Sequence, residues 1–597
     1  MQCASPHLNG TLTNVGAQAC QALVGAKFHE PYALGSHMKN NKQKKSLSLI
    51  LKIFLLSLIV VLIGLFYMSK KQNFDIDETL TYGLSNNSFQ LDVKEFEEYT
   101  GNEILLKYAA VKDDNRFDIK NVFFNQSMDT HPPLYYLLVN FVCSLFPNTF
   151  SMWYGLVINL IFLIIIFFEM RYLFSLITED KIYATILSYI PLISYGFINM
   201  YTFTRMYVML SATSMAFVIL IIKKIKEECS VENIKEKSDN KFLLNFLFIC
   251  VLGILTQYHF LFVAAFYSLF FAFYLIKTKN YKLLVKTFIV GVLSLVISYM
   301  IFPQMINHMF SGKGLHSINS DTNQFTTIEL FITFVSSIYS AFMSYGGILY
   351  IIILLLLSVS LYVKRQKILK DSSKISDTKS NKFNLTPSNI YLLYFASFVF
   401  YFVMIIATIK YDFGRYFYNI YPIIVILIYA PIYMILKKIN TKFTFIVIIL
   451  AFVMSLTTKI DRAPTALHLQ DELFKNYLYE NRDVKTILLY RSVDEKGNTN
   501  SQATSKWQLS DTMYLFKDLK NLTYVDIGTL YSNIDGGVKN KIRDIENKTI
   551  EGYNDIFLVI FTKENDSIYI NEIMAKNDVN MADRVYFNNY FHIYRLH

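Results

Sequence analysis

The chain has 597 residues, 53% of them apolar and 16% aromatic, and a formal net charge of +11. Its apolar residues fall in blocks of about 15 to 23 separated by lysine-rich stretches, the pattern of a polytopic membrane protein and not of a soluble domain. That pattern argues against nucleic-acid binding, because the lysines cluster between apolar blocks as cytoplasmic connections do. Cysteine usage implies neither a disulfide framework nor a metal site: Cys3 and Cys20 lie near the start, and Cys143, Cys229 and Cys250 sit in or beside apolar segments without metal-ligand spacing. No cofactor is implied.

Residues 1–37 end in Gly35, Ser36 and His37 before Met38, which resembles the remnant of a cleavable expression tag, and they lack the basic and apolar regions of a signal peptide. The native chain is therefore expected to begin at Met38. Apolar blocks long enough to span follow at 46–68, 152–170, 181–199, 203–222, 242–256, 259–276, 284–302, 347–363, 389–409, 418–437 and 443–458. Two further blocks, 132–146 and 327–345, are ambiguous and read as re-entrant or interfacial, for 11–13 membrane helices in all. Placing the lysine-rich connections 39–45, 223–241, 277–283, 364–382 and 437–442 in the cytoplasm lets the eleven strong blocks alternate without conflict. On that arrangement 69–151, 303–346, 410–417 and 459–597 lie outside, with the short turns near Arg205 and Tyr258.

The tail changes character. "VKTILLYRS", "LTYVDIGTLYS", "DIFLVIFT" and "RVYFNNYFHIYRLH" read as short strands, and "DTMYLFKDLKN" as a helical or loop segment between them. The expected architecture is a polytopic α-helical membrane domain over 38–458, with its first external loop at 69–131, followed by a small extracytoplasmic α/β domain over 459–597.

Several polar residues stand where apolar blocks end. "NFDIDETLTYG" places Asp75, Asp77 and Glu78 just after the first block, and "NQSMDTHPPLYYLLVNF" places Asp129, His131, Pro132 and Pro133 just before a helix. Proline suits a helix's first turn, so backbone N–H groups and the positive dipole end would face the interface beside His131, as an anion site does. The alternative is a capped helix start with a solvated Asp–His pair. Arg205 in "MYTFTRMYVML" and Arg415 in "KYDFGRYFYNIYP" lie at outer edges of blocks. Each alone could snorkel to lipid headgroups, but two on the face that carries the acidic motif suit bidentate binding of a phosphate at the membrane surface. His259 in "ILTQYHFLF" is a third contact or a structural histidine. The loop 303–324, with Gln304, His308, Lys313 and His316, is given no catalytic role.

Taken in order along the chain, "DIDE", "DTHPPLYYLL", "FTRMY", "TQYHF" and "GRYFYNIYP" resemble the GT-C superfamily of membrane glycosyltransferases, in the bacterial branch related to protein O-mannosyltransferases and the aminoarabinose transferase of lipid A. Asp77 and Glu78 match that family's Asp-Glu motif, and Asp129, His131, Pro132 and Pro133 its second motif. Arg205 with Tyr207 and Arg415 with Tyr416 match its arginine positions. The resemblance implies an enzyme that moves a sugar from a polyprenyl-phosphate-linked donor to an acceptor hydroxyl on the outer face of the cytoplasmic membrane. The acceptor would be a glycopolymer, a lipid or a protein. It implies Asp77, Glu78 and Asp129 as catalytic, with His131, Arg205, Tyr207, His259, Arg415 and Tyr416 binding substrate. A polytopic transporter, or a flippase or polymerase of lipid-linked glycans, is the rival. A transporter would place ionisable residues near the bilayer midplane, whereas here they gather at the ends of blocks.

Overall fold

Asp75 ends the coil that follows the first apolar helix by capping the next one, and most of what lies outside the apolar helices is built up from that turn. The computed structural model describes residues 32–230, 235–310, 326–342, 385–408, 414–439, 464–492, 506–527, 555–561, 570–571, 574, 581–588 and 590–597. Among them, seven helices are long and apolar enough to cross a membrane: Ser48–Met68, Trp153–Thr178, Tyr207–Glu228, Asp239–Thr256, Phe260–Lys277, Tyr281–Ile301 and Pro387–Thr408. The expected spans 347–363 and 443–458 lie outside the described residues. The expected span 418–437 becomes a 3-10 turn, Gly414–Ile420, running into the helix Tyr421–Ile439.

One expected straight span is broken. Residues 181–199 form the helix Lys181–Tyr189, a 3-10 turn Ile190–Ile193 and the helix Tyr195–Thr202, bent by 71°. Pro191 offers no N–H to carry the ladder onward, and Ser194, with extended backbone, restarts it by accepting from the Phe197 N–H at 3.4 Å. Counted as one broken span, the pair brings the total to eight. The ambiguous block 132–146 is the 11-residue helix Leu134–Ser144, roughly 16 Å long at 1.5 Å per residue and so about half the hydrocarbon thickness. The other, from 327, forms Thr327–Phe342 in its described part.

The stretch after the first span is folded, not loose. It contains the helix Ile76–Asn86, strand β1 (Glu98–Tyr99) and the helices Gly101–Ala109 and Ile119–Met128. Capping boxes at Asp75/Glu78 and Thr100/Glu103 start two of these helices. The tail supplies β2 (Lys485–Tyr490), β3 (Leu522–Asp526), β4 (Ile556–Ile560), β5 (Ala582–Phe587) and β6 (His592–Leu596). "RVYFNNYFHIYRLH" is thus two strands, β5 and β6, paired antiparallel. All six strands form one sheet in the order β1-β3-β2-β4-β6-β5, with β2 parallel to both β3 and β4. Those three strands are buried on both faces, which explains their continuous apolar sequences.

The edge strand β1 comes from the first loop and pairs antiparallel with β3, Glu98 opposite Thr523 and Tyr99 opposite Leu522. Buried Lys485 on β2 forms an ion pair with Glu98. One apolar core then runs from Phe74, Leu80 and Tyr108 of the first loop through Tyr135 and Tyr207 to Phe516, Tyr524 and Phe557 of the tail. Backbone pairing requires both segments to lie on the same side of any membrane. Asp92→Cys and Asp483→Cys, whose parent side chains are 87% and 72% exposed, are accordingly expected to react together with an impermeant maleimide, in intact cells or only after lysis. Labelling of one in intact cells and of the other only after lysis would break the β1–β3 pairing.

Candidate functional site

The three carboxylates of "DIDE" have three separate partners. Asp75 is the N-cap of Ile76–Asn86, and its Oδ1 accepts from the Asp77 N–H at 2.9 Å. Glu78 is fully buried: its Oε2 accepts from the Asp75 N–H at 3.0 Å and from Lys71 Nζ at 2.9 Å, and its Oε1 from the Thr204 N–H at 2.6 Å. Lys71 Nζ also donates to the Ala466 carbonyl. Glu78 therefore points into the protein, where it fastens the acidic turn to the residue just before Arg205.

Asp77 points the other way. Its Oδ2 meets Arg415 Nη1 at 2.5 Å and its Oδ1 meets Arg205 Nη2 at 3.5 Å, so one carboxylate stands between two guanidiniums. Arg205 is only 4% exposed and is steadied by donating to Tyr136 Oη at 3.0 Å and Thr81 Oγ1 at 3.3 Å. The Arg415 guanidinium lies over the Phe203 ring at 5.8 Å. Asp129 Oδ2 lies 2.9 Å from His131 Nδ1, immediately before the helix Leu134–Ser144.

Burial on its own would raise the Asp77 pKa, but the charges of Arg205 and Arg415 outweigh it and hold the carboxyl below the usual carboxylate range. Burial likewise opposes ionisation of Asp129, yet His131 and then Arg205 bring it down to about 2. Asp75 shifts upward, first through burial and then through the charge of Asp77 beside it. His259 is pulled down to about 4 by burial and by the field of His131, so it is neutral near pH 7 and supplies no cation. Its ring leans on Tyr416 at 5.2 Å between centroids. Tyr207 packs between Phe203 (6.1 Å) and Tyr418 (5.7 Å), and the Tyr416 carbonyl accepts from Tyr401 Oη at 2.8 Å.

The fold thus brings Asp77, Asp129, His131, Arg205 and Arg415 within electrostatic reach of one another, with Tyr207, His259 and Tyr416 packed behind them. Glu78 is turned away from this group. Lys71, Thr204 and Tyr136 were not singled out from the sequence, and Asp75 was named there without a role of its own. Asp75 and Tyr136 lie inside the quoted motifs, and the Asp-x-x-Glu spacing of a capping box was visible; Lys71 carried no signal beyond a lysine pair at the end of a span. Among the described residues no group of three His, Cys, Asp or Glu side chains is arranged to hold a metal. A cavity of about 690 Å³ opens beside Asp75 and Arg415.

No family model matches the chain, and no curated protein does. One solved structure, that of ArnT from Cupriavidus metallidurans bound to undecaprenyl phosphate, is similar over 91% of this chain and 97% of that chain, with 10% sequence identity and a TM-score of 0.46.

Glu78→Gln leaves the buried Lys71 charge without its carboxylate and is expected to destabilise the protein by about 3–5 kcal/mol. The double variant Lys71→Met/Glu78→Gln removes both charges and is expected to regain most of that loss in thermal unfolding. If Glu78 itself exchanged protons with substrate, the double variant would be stable yet inactive; recovery of turnover with stability marks Glu78 as a positioning residue.

Proposed function

We propose that this chain is a membrane glycosyltransferase that uses a polyprenyl-phosphate-linked sugar and modifies a cell-envelope acceptor on the outer face of the membrane. The observation that carries the reading is the meeting of Asp77, Asp129 with His131, Arg205 and Arg415, drawn from stretches some 340 residues apart. They are the residue types that transfer from a lipid phosphate requires, and they match the GT-C motifs in order.

Asp77 takes the proton of the acceptor hydroxyl as its oxygen attacks the anomeric carbon. The bond from that carbon to the phosphate oxygen breaks, and the lipid phosphate departs with the electron pair. Phosphate is a stable anion, so cations serve it better than a general acid does. Arg415 and Arg205 supply the charge, with the N-terminus of Leu134–Ser144 beside His131. Asp129 orients His131 through the 2.9 Å contact.

The arginines also govern the base. In the free protein two guanidiniums hold the proton affinity of Asp77 low. A phosphate that draws Arg415 toward itself weakens one of those pairs and makes Asp77 a stronger base at the moment the donor is in place. Binding and activation are then one event.

Asp77→Asn is expected to lower sugar transfer by about 100-fold or more, measured with radiolabelled lipid-linked sugar. It also frees two arginines from their carboxylate, so affinity for undecaprenyl phosphate is expected to hold or rise. Retention of more than about a tenth of turnover would remove Asp77 as base.

The acidic limb of the kcat/KM profile against pH is expected below the usual carboxylate range in the wild type, because it reports the base in the free enzyme. Removing one neighbouring cation by Arg415→Gln favours the protonated form of Asp77, so the limb moves to higher pH. An unmoved limb would separate Arg415 from the titrating group.

A further inference from the structure

We propose that the cavity of about 690 Å³ beside Arg415 is a carbohydrate subsite that takes a neutral, polyhydroxylated sugar ring; this rests on the glycosyltransferase reading above. Its volume falls within the range of small-molecule sites, about 300–1,000 Å³. Its chemistry is unusual for a space bounded by apolar helices.

One wall is a single face of the helix Thr327–Phe342: Thr333, Ser336, Ser337 and Ser340 line the cavity, and their i, i+3, i+4, i+7 spacing puts four hydroxyls on one stripe. The opposite face of the same helix presents Ile328, Phe331, Ile332 and Val335, 72%, 51%, 60% and 45% exposed. The helix thus carries an apolar stripe and a hydroxylated stripe on different faces. Asn199 and Gln470 add amides, Tyr418 and Tyr421 add rings, and Arg415 and Asp75 stand at the margin toward Asp77. Hydroxyls and amides that both donate and accept, together with aromatic rings, suit a sugar ring. A hydrocarbon chain offers those hydroxyls and amides nothing to bond.

The walls are held close. A Cβ on Gly414 would come within 3.1 Å of Ser337, and one on Gly196 within 2.7 Å of the Ala341 side chain. The hydroxyl stripe therefore sits at a set distance from the turn that carries Arg415. A sugar seated there lies next to a phosphate held by Arg415 if it belongs to the donor, and next to the acceptor's path to Asp77 if it belongs to the acceptor.

The test uses the full chain in lipid nanodiscs and three probe sets: undecaprenyl phosphate alone; undecaprenyl phosphates bearing glucose, galactose, mannose or N-acetylglucosamine; and the methyl glycosides of those sugars. Wild type is expected to hold one sugar-bearing probe about tenfold tighter than its sugar-free or mismatched counterpart. Ser336→Leu/Ser340→Leu narrows the cavity and replaces two of its hydroxyls with apolar bulk, and is expected to abolish that preference while leaving affinity for bare undecaprenyl phosphate unchanged; Ser336→Ala/Ser340→Ala is expected to lose part of it. Loss confined to the lipid-linked sugars assigns the subsite to the donor, and loss confined to the methyl glycosides assigns it to the acceptor. A preference that survives the leucine variant overturns the cavity assignment, as does a wild type that binds undecaprenyl phosphate but prefers no sugar. Wild type that binds no polyprenyl phosphate overturns the glycosyltransferase reading itself.

Discussion

The buried ion pair of Lys71 with Glu78 is the constraint on which the arrangement outside the membrane helices depends. Lys71 follows the first span, Glu78 belongs to the acidic turn, Thr204 precedes Arg205, and Ala466 belongs to the tail; the pair ties these segments together. Neighbouring bonds repeat the connection: Gln72 N–H to the Leu467 carbonyl at 2.8 Å, Asn73 to Asp471 at 2.8 Å, and Ala466 N–H to Asn199 at 3.0 Å. Charges removed from water are costly unless fully paired and hydrogen-bonded. Glu78 meets that condition with three donors, so the register of these segments has little freedom.

That rigidity matters because the opposed groups nearby repel or attract strongly. Two arginines approach one carboxylate, and a second carboxylate lies close by with its histidine. Left mobile, Arg205 and Arg415 would separate toward water. Tyr136, Thr81 and the Phe203 ring hold them instead. The outcome is a preorganised cationic pair facing a carboxylate of lowered proton affinity.

The tail contributes to the same architecture. Its sheet accepts β1 from the first loop as an edge strand, and its core is continuous with residues that flank the site, among them Tyr82, Tyr135 and Tyr207. The cavity is shared in the same way: His468 and Gln470 from the tail line it together with the hydroxyl stripe of Thr327–Phe342.

Local information in the sequence was enough for elements whose cause is local. Apolar length marked the spans, short apolar runs between polar segments marked β2, β3 and β4, and proline marked the start of Leu134–Ser144. The break at Pro191 and Ser194 was legible in principle, but apolar character alone ran across it, because hydropathy does not register a missing N–H or a serine cap. "DIDE" identified a group of carboxylates without separating their duties. Asp75, Asp77 and Glu78 are neighbours in sequence, yet the helical turn directs one to a cap, one to two arginines and one to a buried lysine. The cap and the lysine are close in sequence, but the two arginines that claim Asp77 come from distant stretches of the chain, which no periodicity encodes. The same holds for β1, a two-residue strand too short to signal itself, which exists because β3 offers it an unpaired edge.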